Sequence, residues 1–410
     1  SLLLALSFIP ASAQYFGRNK PKYRDFDFRI FETPHFNIYY YDLDSARIAL
    51  YASWFEWWYD HHSQLLGEQF VSRNPVILYN NHGEFQQNFV ISGNVDAGTG
   101  GVTEGLRNRI VLPLAITNDQ TFHVIGHELV HAFQYNMILR GDSTSTEPLQ
   151  NYPLWIIEGL AEYLSKGSVD VQTAMWMRDA VLRGKLPDLE KMDRPEYFPY
   201  RFGHAFWSFF SSLFGNARIK PFFVSVGQYG LATACLENLG IPIDTLNSAW
   251  QRTLSSQYSG QFAESGQSGK EILSSSNAGR MNLSPSISPN GRYLCFLSEK
   301  DLFTTDLFLA SAQDGKILRK LFSQAREGHI DQLNSLESAG TWSPDSRRFA
   351  FPAFKRGRSV LVIKDVETGK TQRELQFANL PYFIQPAWSP DGKSIVVTGT
   401  HRGQTDLYLI

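Results

Sequence analysis

The chain has 410 residues, of which 43% are hydrophobic, 14% aromatic and 19% charged, and its formal net charge is −2. That length makes two domains the natural expectation, with ample chain for a large core. The near balance of charge argues against nucleic acid or an anionic membrane surface as a general partner.

Residues 1 to 13 read as the end of a secretory signal: an apolar run, then Pro10, then Ala11-Ser12-Ala13 as a small-residue cleavage site before Gln14. No later stretch is long and apolar enough to span a bilayer as a helix, so a periplasmic or secreted protein with no transmembrane segment is expected. Residues 28 to 41 are strand-like. Residues 44 to 66 predict a helix, with Ile48, Tyr51, Ala52, Phe55, Trp58, Tyr59 and His62 at spacings of three and four; this aromatic stripe reads as core packing. Pro75–Tyr79 and Arg109–Pro113 predict two further strands. Cys235 and Cys295 are the only cysteines and are expected as two buried thiols.

The stretch from Thr117 to Glu162 carries the chemistry. His127-Glu128-Leu129-Val130-His131 places two histidines four residues apart, on one helix face and about one turn from each other. Both imidazoles can then reach one Zn²⁺, with Glu128 beside it to take a proton from water. Phe122, Val124, Ile125, Leu129, Val130, Ala132 and Phe133 make that helix apolar nearly all round, which predicts burial. Thr117 with Gln120 reads as a capping box at its start. A zinc hydrolase takes three protein ligands and leaves a fourth position to water. Glu158, on a second predicted helix that begins after Pro153, offers the third. Glu162, four residues on and on the same face, is placed to hold a ligand histidine in its tautomer.

At these residues HELVH followed by WIIEGLAEY resembles the gluzincin metallopeptidases, and within them the broad bacterial group of MA-type, aminopeptidase-like domains. The resemblance implies a zincin-like domain with His127, His131 and Glu158 as zinc ligands, Glu128 as general base, and a peptide or protein substrate. It also implies that the strand Arg109–Pro113 is the sheet edge on which substrate backbone pairs. Glu104 faintly echoes the loop with which aminopeptidases hold a substrate's amino terminus, although a turn residue is the expectation there. Tyr200-Arg201-Phe202-Gly203-His204-Ala205-Phe206 resembles the Y-x-x-G-x-x-F segment of MA-type domains, which makes Tyr200 or His204 the donor to the oxyanion.

Residues 254 to 280 are rich in Ser, Gly and Gln and read as a linker. A repeat follows: Ser288-Pro289-Asn290-Gly291, Ser343-Pro344-Asp345-Ser346 and Ser389-Pro390-Asp391-Gly392, each leading into a short β run. These turns resemble TolB-like β-propeller blades, whose partner would be another protein. A propeller closes with four or more blades, so the sequence is expected to be the N-terminal part of a longer protein. The organisation read from the sequence is a signal remnant at 1–13, a peptidase domain at 15–262, a linker at 263–280 and truncated propeller blades at 281–410. The fold class is an α+β zincin-like domain, with a small mixed sheet and active-site helices, followed by an incomplete all-β propeller. Two functions stand against each other. One is an exported zinc metallopeptidase; the other is a non-catalytic cell-envelope scaffold whose propeller binds protein and whose zinc site is structural or vestigial.

Overall fold

The computed structural model describes residues 22–91, 95, 98–140, 147–260, 269–301, 304–323, 325–333 and 340–410. The signal-like residues 1–13 lie outside them, as do residues 261–268, where the expected linker begins.

The N-terminal half is built on a five-stranded mixed sheet of β1 (Arg29–Glu32), β2 (Phe36–Tyr40), β3 (Asn74–Tyr79), β4 (Val102–Glu104) and β5 (Arg109–Pro113), in the order β1-β2-β3-β5-β4. The expected single run over 28–41 is two strands, because Pro34 has no N–H to give a ladder. The chain turns there, pairing Arg29 with Tyr40 and Glu32 with Asn37. The sheet also corrects which strand forms the edge. Arg109–Pro113 is interior, parallel to β3 on one side and antiparallel to β4 on the other. Val102–Glu104 forms the edge instead, and Glu104 is its last residue rather than a turn residue.

Helix α1 (Ser45–Leu66) buries the predicted aromatic stripe, and the short α2 (His82–Phe85) follows β3. Next come α3 (Asn118–Leu139), α4 (Leu154–Lys166), α5 (Val171–Leu182), α6 (Pro199–Phe214), α7 (Ile219–Tyr229), α8 (Leu231–Leu239) and α9 (Ile243–Tyr258). Two glycine contacts set their spacing. At Gly126 a Cβ would come 2.5 Å from the Trp58 ring, so α3 sits directly on α1. There His62 Nε2 lies 3.0 Å from the Gly126 carbonyl oxygen and its N–H donates to it. At Gly159 a Cβ would fall 2.3 Å from the Gly203 backbone, and one on Gly203 would fall 2.2 Å from the Trp155 carbonyl oxygen. Helices α4 and α6 therefore touch backbone to backbone.

The C-terminal half holds three antiparallel sheets. The first is β6 (Asn282–Ile287), β7 (Tyr293–Ser298), β8 (Asp306–Ser311) and β9 (Ile317–Phe322). The second is β10 (Gln332–Leu333), β11 (Thr341–Trp342), β12 (Arg348–Lys355), β13 (Arg358–Asp365) and β14 (Thr371–Leu375). The third is β15 (Tyr382–Trp388), β16 (Ile395–His401) and β17 (Gln404–Leu409). All three Ser-Pro turns use one bonding scheme. The serine hydroxyl donates to the Asn290, Asp345 or Asp391 side chain at 2.8, 2.5 and 2.6 Å. It accepts the N–H of Tyr293, Arg348 or Ser394 at 2.9, 2.9 and 3.0 Å. Within the stretch expected as linker, Ile272, Leu273 and Ala278 pack on the first sheet. Cys235 and Cys295 are buried free thiols, as expected, and burial pushes both thiols up, Cys235 to about 12.

The second and third sheets reach the N-terminal half through two matching hairpin turns, Arg356-Gly357 and Arg402-Gly403, with φ of 53°, 69°, 49° and 72°. Two residues of positive φ give the hairpin turn whose twist suits the flanking strands. The Tyr51 hydroxyl donates to the Gly403 carbonyl oxygen at 3.2 Å, Arg47 bonds Gln404, and Gly357 packs against Gly83.

Gly159→Ala should cost more than about 3 kcal/mol, because its Cβ meets backbone and α4 and α6 must separate. Gly291→Ala, with open space around its Cβ but φ of 69°, should cost only the left-handed strain of about 1–2 kcal/mol. Urea unfolding of the two variants against the parent checks the order, and equal costs would refute the helix contact.

Candidate metal centre

Helix α3 positions the two histidines. Its first turn is locked by the predicted capping box: the Thr117 hydroxyl accepts the Gln120 N–H at 3.1 Å, and the Gln120 side chain accepts the Thr117 N–H at 3.3 Å. His127 and His131 are both buried, with their Nε2 atoms 3.2 Å apart. Helix α4 brings Glu158, whose Oε2 lies 3.3 Å from each Nε2. Bonds of about 2.0–2.1 Å in a tetrahedral shell set neighbouring ligand atoms about 3.3–3.4 Å apart. The three atoms thus outline one face of such a shell, and the group could hold a metal ion.

The surroundings hold these ligands in orientation. Gln134 Oε1 lies 2.8 Å from His131 Nδ1, while its amide donates to the Ile157 carbonyl oxygen at 2.9 Å. That second bond fixes the amide orientation, so Oε1 must accept from Nδ1–H, leaving the Nε2 lone pair to face the centre. Glu162 Oε1 sits 3.3 Å from both His127 Nδ1 and His123 Nε2, the former off the axis of a good hydrogen bond. Its Oε2 accepts from Arg201 at 2.8 Å. His123, His127 and Glu162 also cluster closely enough for a cation. With Arg201 at 2.8 Å and Lys166 at 4.0 Å from Glu162, that cluster already carries its positive charge, so it serves as support.

Glu128 is buried next to His127. The Thr103 hydroxyl on β4 lies 2.8 Å from its Oε2, and a Cβ on Gly101 would come 2.8 Å from its Oε1. Burial raises the Glu128 carboxyl, and the two histidines and Thr103 only partly offset this. For Glu158 and Glu162 the balance is reversed. Burial opposes ionisation, yet the neighbouring histidines hold both well below the usual carboxylate range. Burial also opposes charge on the imidazoles, but Glu158 and Glu162 push His127 up to about 10, and Glu158 raises His131.

Two tyrosines flank the centre. Tyr200 on α6 stacks over His127 with ring centroids 5.9 Å apart, and Tyr135 lies against His131 at 6.4 Å. Burial and the Glu158 and Glu128 carboxylates hold the Tyr200 phenol well above its ordinary range. Burial, Glu128 and Glu158 push Tyr135 up to about 12. His204 lies elsewhere. Its Nε2–H donates to the Gly167 carbonyl oxygen at 2.9 Å, at the end of α4. Glu104 is tied to Arg109 at 2.7 Å.

Sequence reasoning thus brings His127, Glu128, His131, Glu158, Glu162 and Tyr200 to one place and misses five helpers. His123 and Gln134 carry a signal, since they stand four before His127 and three after His131 on the same helix. Tyr135, four after His131, carries it too; Arg201 and Thr103 carry none.

No family model matches the chain. Over 128 residues it is 36% identical to the Tol-Pal system protein TolB of Ruthia magnifica subsp. Calyptogena magnifica, covering 28% of this chain and 29% of that protein. Over 121 residues it is 27% identical to the uncharacterized peptidase YuxL of Bacillus subtilis (strain 168), covering 28% of this chain and 16% of YuxL. Among solved structures, a putative TolB from Agrobacterium tumefaciens aligns at 19% identity and a TM-score of 0.26, covering 31% of this chain and 41% of that one. The chain spans less than a third of the length of the curated relatives it matches. TolB-like β-propeller homology is present, joined to a half made of helices and a mixed sheet. Among the described residues no helix is long and apolar enough to cross a membrane.

A divalent cation held by His127 would displace the proton that Glu158 and Glu162 stabilise there. A folded-state value of about 10 for His127, against 6.5 ordinarily, means stabilisation present below pH 6.5 and lost as pH rises through about 10. Zinc affinity should therefore climb with pH and flatten near pH 10, with proton release on binding falling over the same range. Calorimetry in buffers of different ionisation enthalpy reads the proton count. Zero release at pH 7 would refute the raised His127.

Proposed function

We propose that residues 15–262 form a zinc metallopeptidase of the gluzincin type, joined through 263–280 to TolB-like blades at 281–410 in an exported, cell-envelope protein. The observation that carries this reading is the triangle of His127, His131 and Glu158, with edges of 3.2–3.3 Å, set beside a desolvated Glu128. Zn²⁺ in such a site supplies Lewis acidity toward a carbonyl and lowers the pKa of water.

The remaining work falls to side chains. Glu128 takes a proton from the attacking water and returns it to the leaving amine; its raised carboxyl suits both directions of transfer. Thr103 holds one carboxylate oxygen, which leaves the other to accept. Tyr200 stays protonated at any physiological pH, so its hydroxyl can donate to the oxyanion as charge develops there. His204, bonded to Gly167, is the second candidate for that donor and would have to leave its carbonyl first. Glu162 and Gln134 keep the two imidazoles oriented.

The similarity to TolB supports a second reading, a non-catalytic envelope protein that binds a protein partner through its blades. Glu128→Gln separates the two. Under the peptidase reading this variant keeps zinc, measured by elemental analysis, and loses hydrolysis of a peptide library by about 10²–10⁴-fold. His127→Ala should lose the metal itself. A zinc-loaded parent no faster than Glu128→Gln would leave the scaffold reading standing.

A further inference from the structure

A cavity of ≈ 200 Å³ lies beside the ligand triangle, toward the start of α3. One wall belongs to the N-terminal half: Gly98–Gly100 leading into β4, the residues just after β5, and His123 and Val124 of α3. The other wall comes from the C-terminal half. It is made by Phe354 of β12 and Tyr382 of β15, stacked with centroids 5.9 Å apart. The cavity reaches the catalytic side through chain neighbours: Gly100 lines it and Gly101 follows, and His123 of its wall stands one turn before His127. Gly100 lies on Val124, where a Cβ would sit 3.4 Å from a methyl, and the next residue, Gly101, lies on Glu128. Strand β4 has no partner on its outer edge among the described residues.

We infer that this cavity is a specificity pocket for one large uncharged side chain of the substrate, and that Phe354 and Tyr382 determine what enters it. The inference rests on the peptidase reading and adds a substrate class to it. A peptide that adds as a strand to the free edge of β4 passes Glu128 beside Gly101 and Thr103. At roughly 3.3 Å per residue its neighbouring side chains then reach the Gly98–Gly100 end, where the cavity opens. Size and charge select the occupant. An apolar cavity of about 150 Å³ accepts benzene, so ≈ 200 Å³ holds a phenyl group or a branched aliphatic chain. The lining contains no Asp, Glu, Lys or Arg; of its two histidines, burial pushes His82 down to about 4, and His123 is turned to Glu162 at 3.3 Å. A charged side chain would give up its hydration there with no counter-charge to meet it. The blades thereby take part in substrate choice.

The full zinc-loaded chain should cleave peptides with Phe, Tyr or Leu at one position at least about tenfold faster than those with Asp or Lys there. Phe354→Ala and Tyr382→Ala should lower kcat/KM for the Phe peptides about tenfold more than for Ala-containing peptides. Because Phe354 is buried in its own cluster, Ile116→Phe gives a second approach: it fills the cavity from the opposite wall without removing a packed ring, and should shift preference toward Ala. A readout free of hydrolysis is fluorescence anisotropy of a labelled Phe hexapeptide on Glu128→Gln, which Ile116→Phe should weaken about tenfold. An active parent whose preference survives all three substitutions would overturn the pocket and leave the peptidase reading intact. A parent that neither cuts nor, as Glu128→Gln, binds any peptide would instead remove the peptidase reading, and the pocket with it.

Discussion

The constraint on which the rest depends is the burial of four ionisable side chains, His127, His131, Glu128 and Glu162, with Glu158 (14% exposed) closing the group, in one small volume between α3 and α4. A lone charge there would be too costly to keep, so each group must meet an opposite one. The groups answer one another: the carboxylates raise both imidazoles, the imidazoles hold Glu158 and Glu162 well below the usual carboxylate range, and burial raises Glu128. Around them Arg201 and Lys166 face Glu162, and Gln134 fixes His131.

Orientation then comes from backbone contact. Gly159 and Gly203 let α4 and α6 approach until no side chain fits between them. That approach puts Tyr200 over His127 and Arg201 onto Glu162, so one helix supplies both a candidate donor and the clamp on a ligand's supporting carboxylate. On the other side, Gly126 seats α3 on Trp58 and Gly101 seats the β4 edge on Glu128. Four glycines thus set the distances of a site in which none of them takes part chemically.

Much of this was legible in the chain because it is local. A four-residue spacing fixes His127 and His131 on one face, Thr117 and Gln120 close their box within a turn, and each Ser-Pro turn bonds inside six residues. What the sequence conceals is long-range. Thr103 meets Glu128 across 25 residues, and Tyr200 meets His127 from another helix. The edge strand was misread for a related reason. Val102–Glu104 is only three residues long, too short for a period-two pattern, while the apolar run Arg109–Pro113 looked like the obvious strand and proved to be its inner neighbour. Likewise, nothing local in Arg356-Gly357 and Arg402-Gly403 tells that these two turns meet α2 and α1 of the N-terminal half.

The two cysteines carry a consequence for thiol exchange. Cys235 is sealed under α8 and Cys295 inside β7, with burial holding each as the thiol. Attack on a disulfide needs the thiolate and access to it, and neither is present. Once these residues are folded, an outside disulfide therefore meets no thiolate at either position.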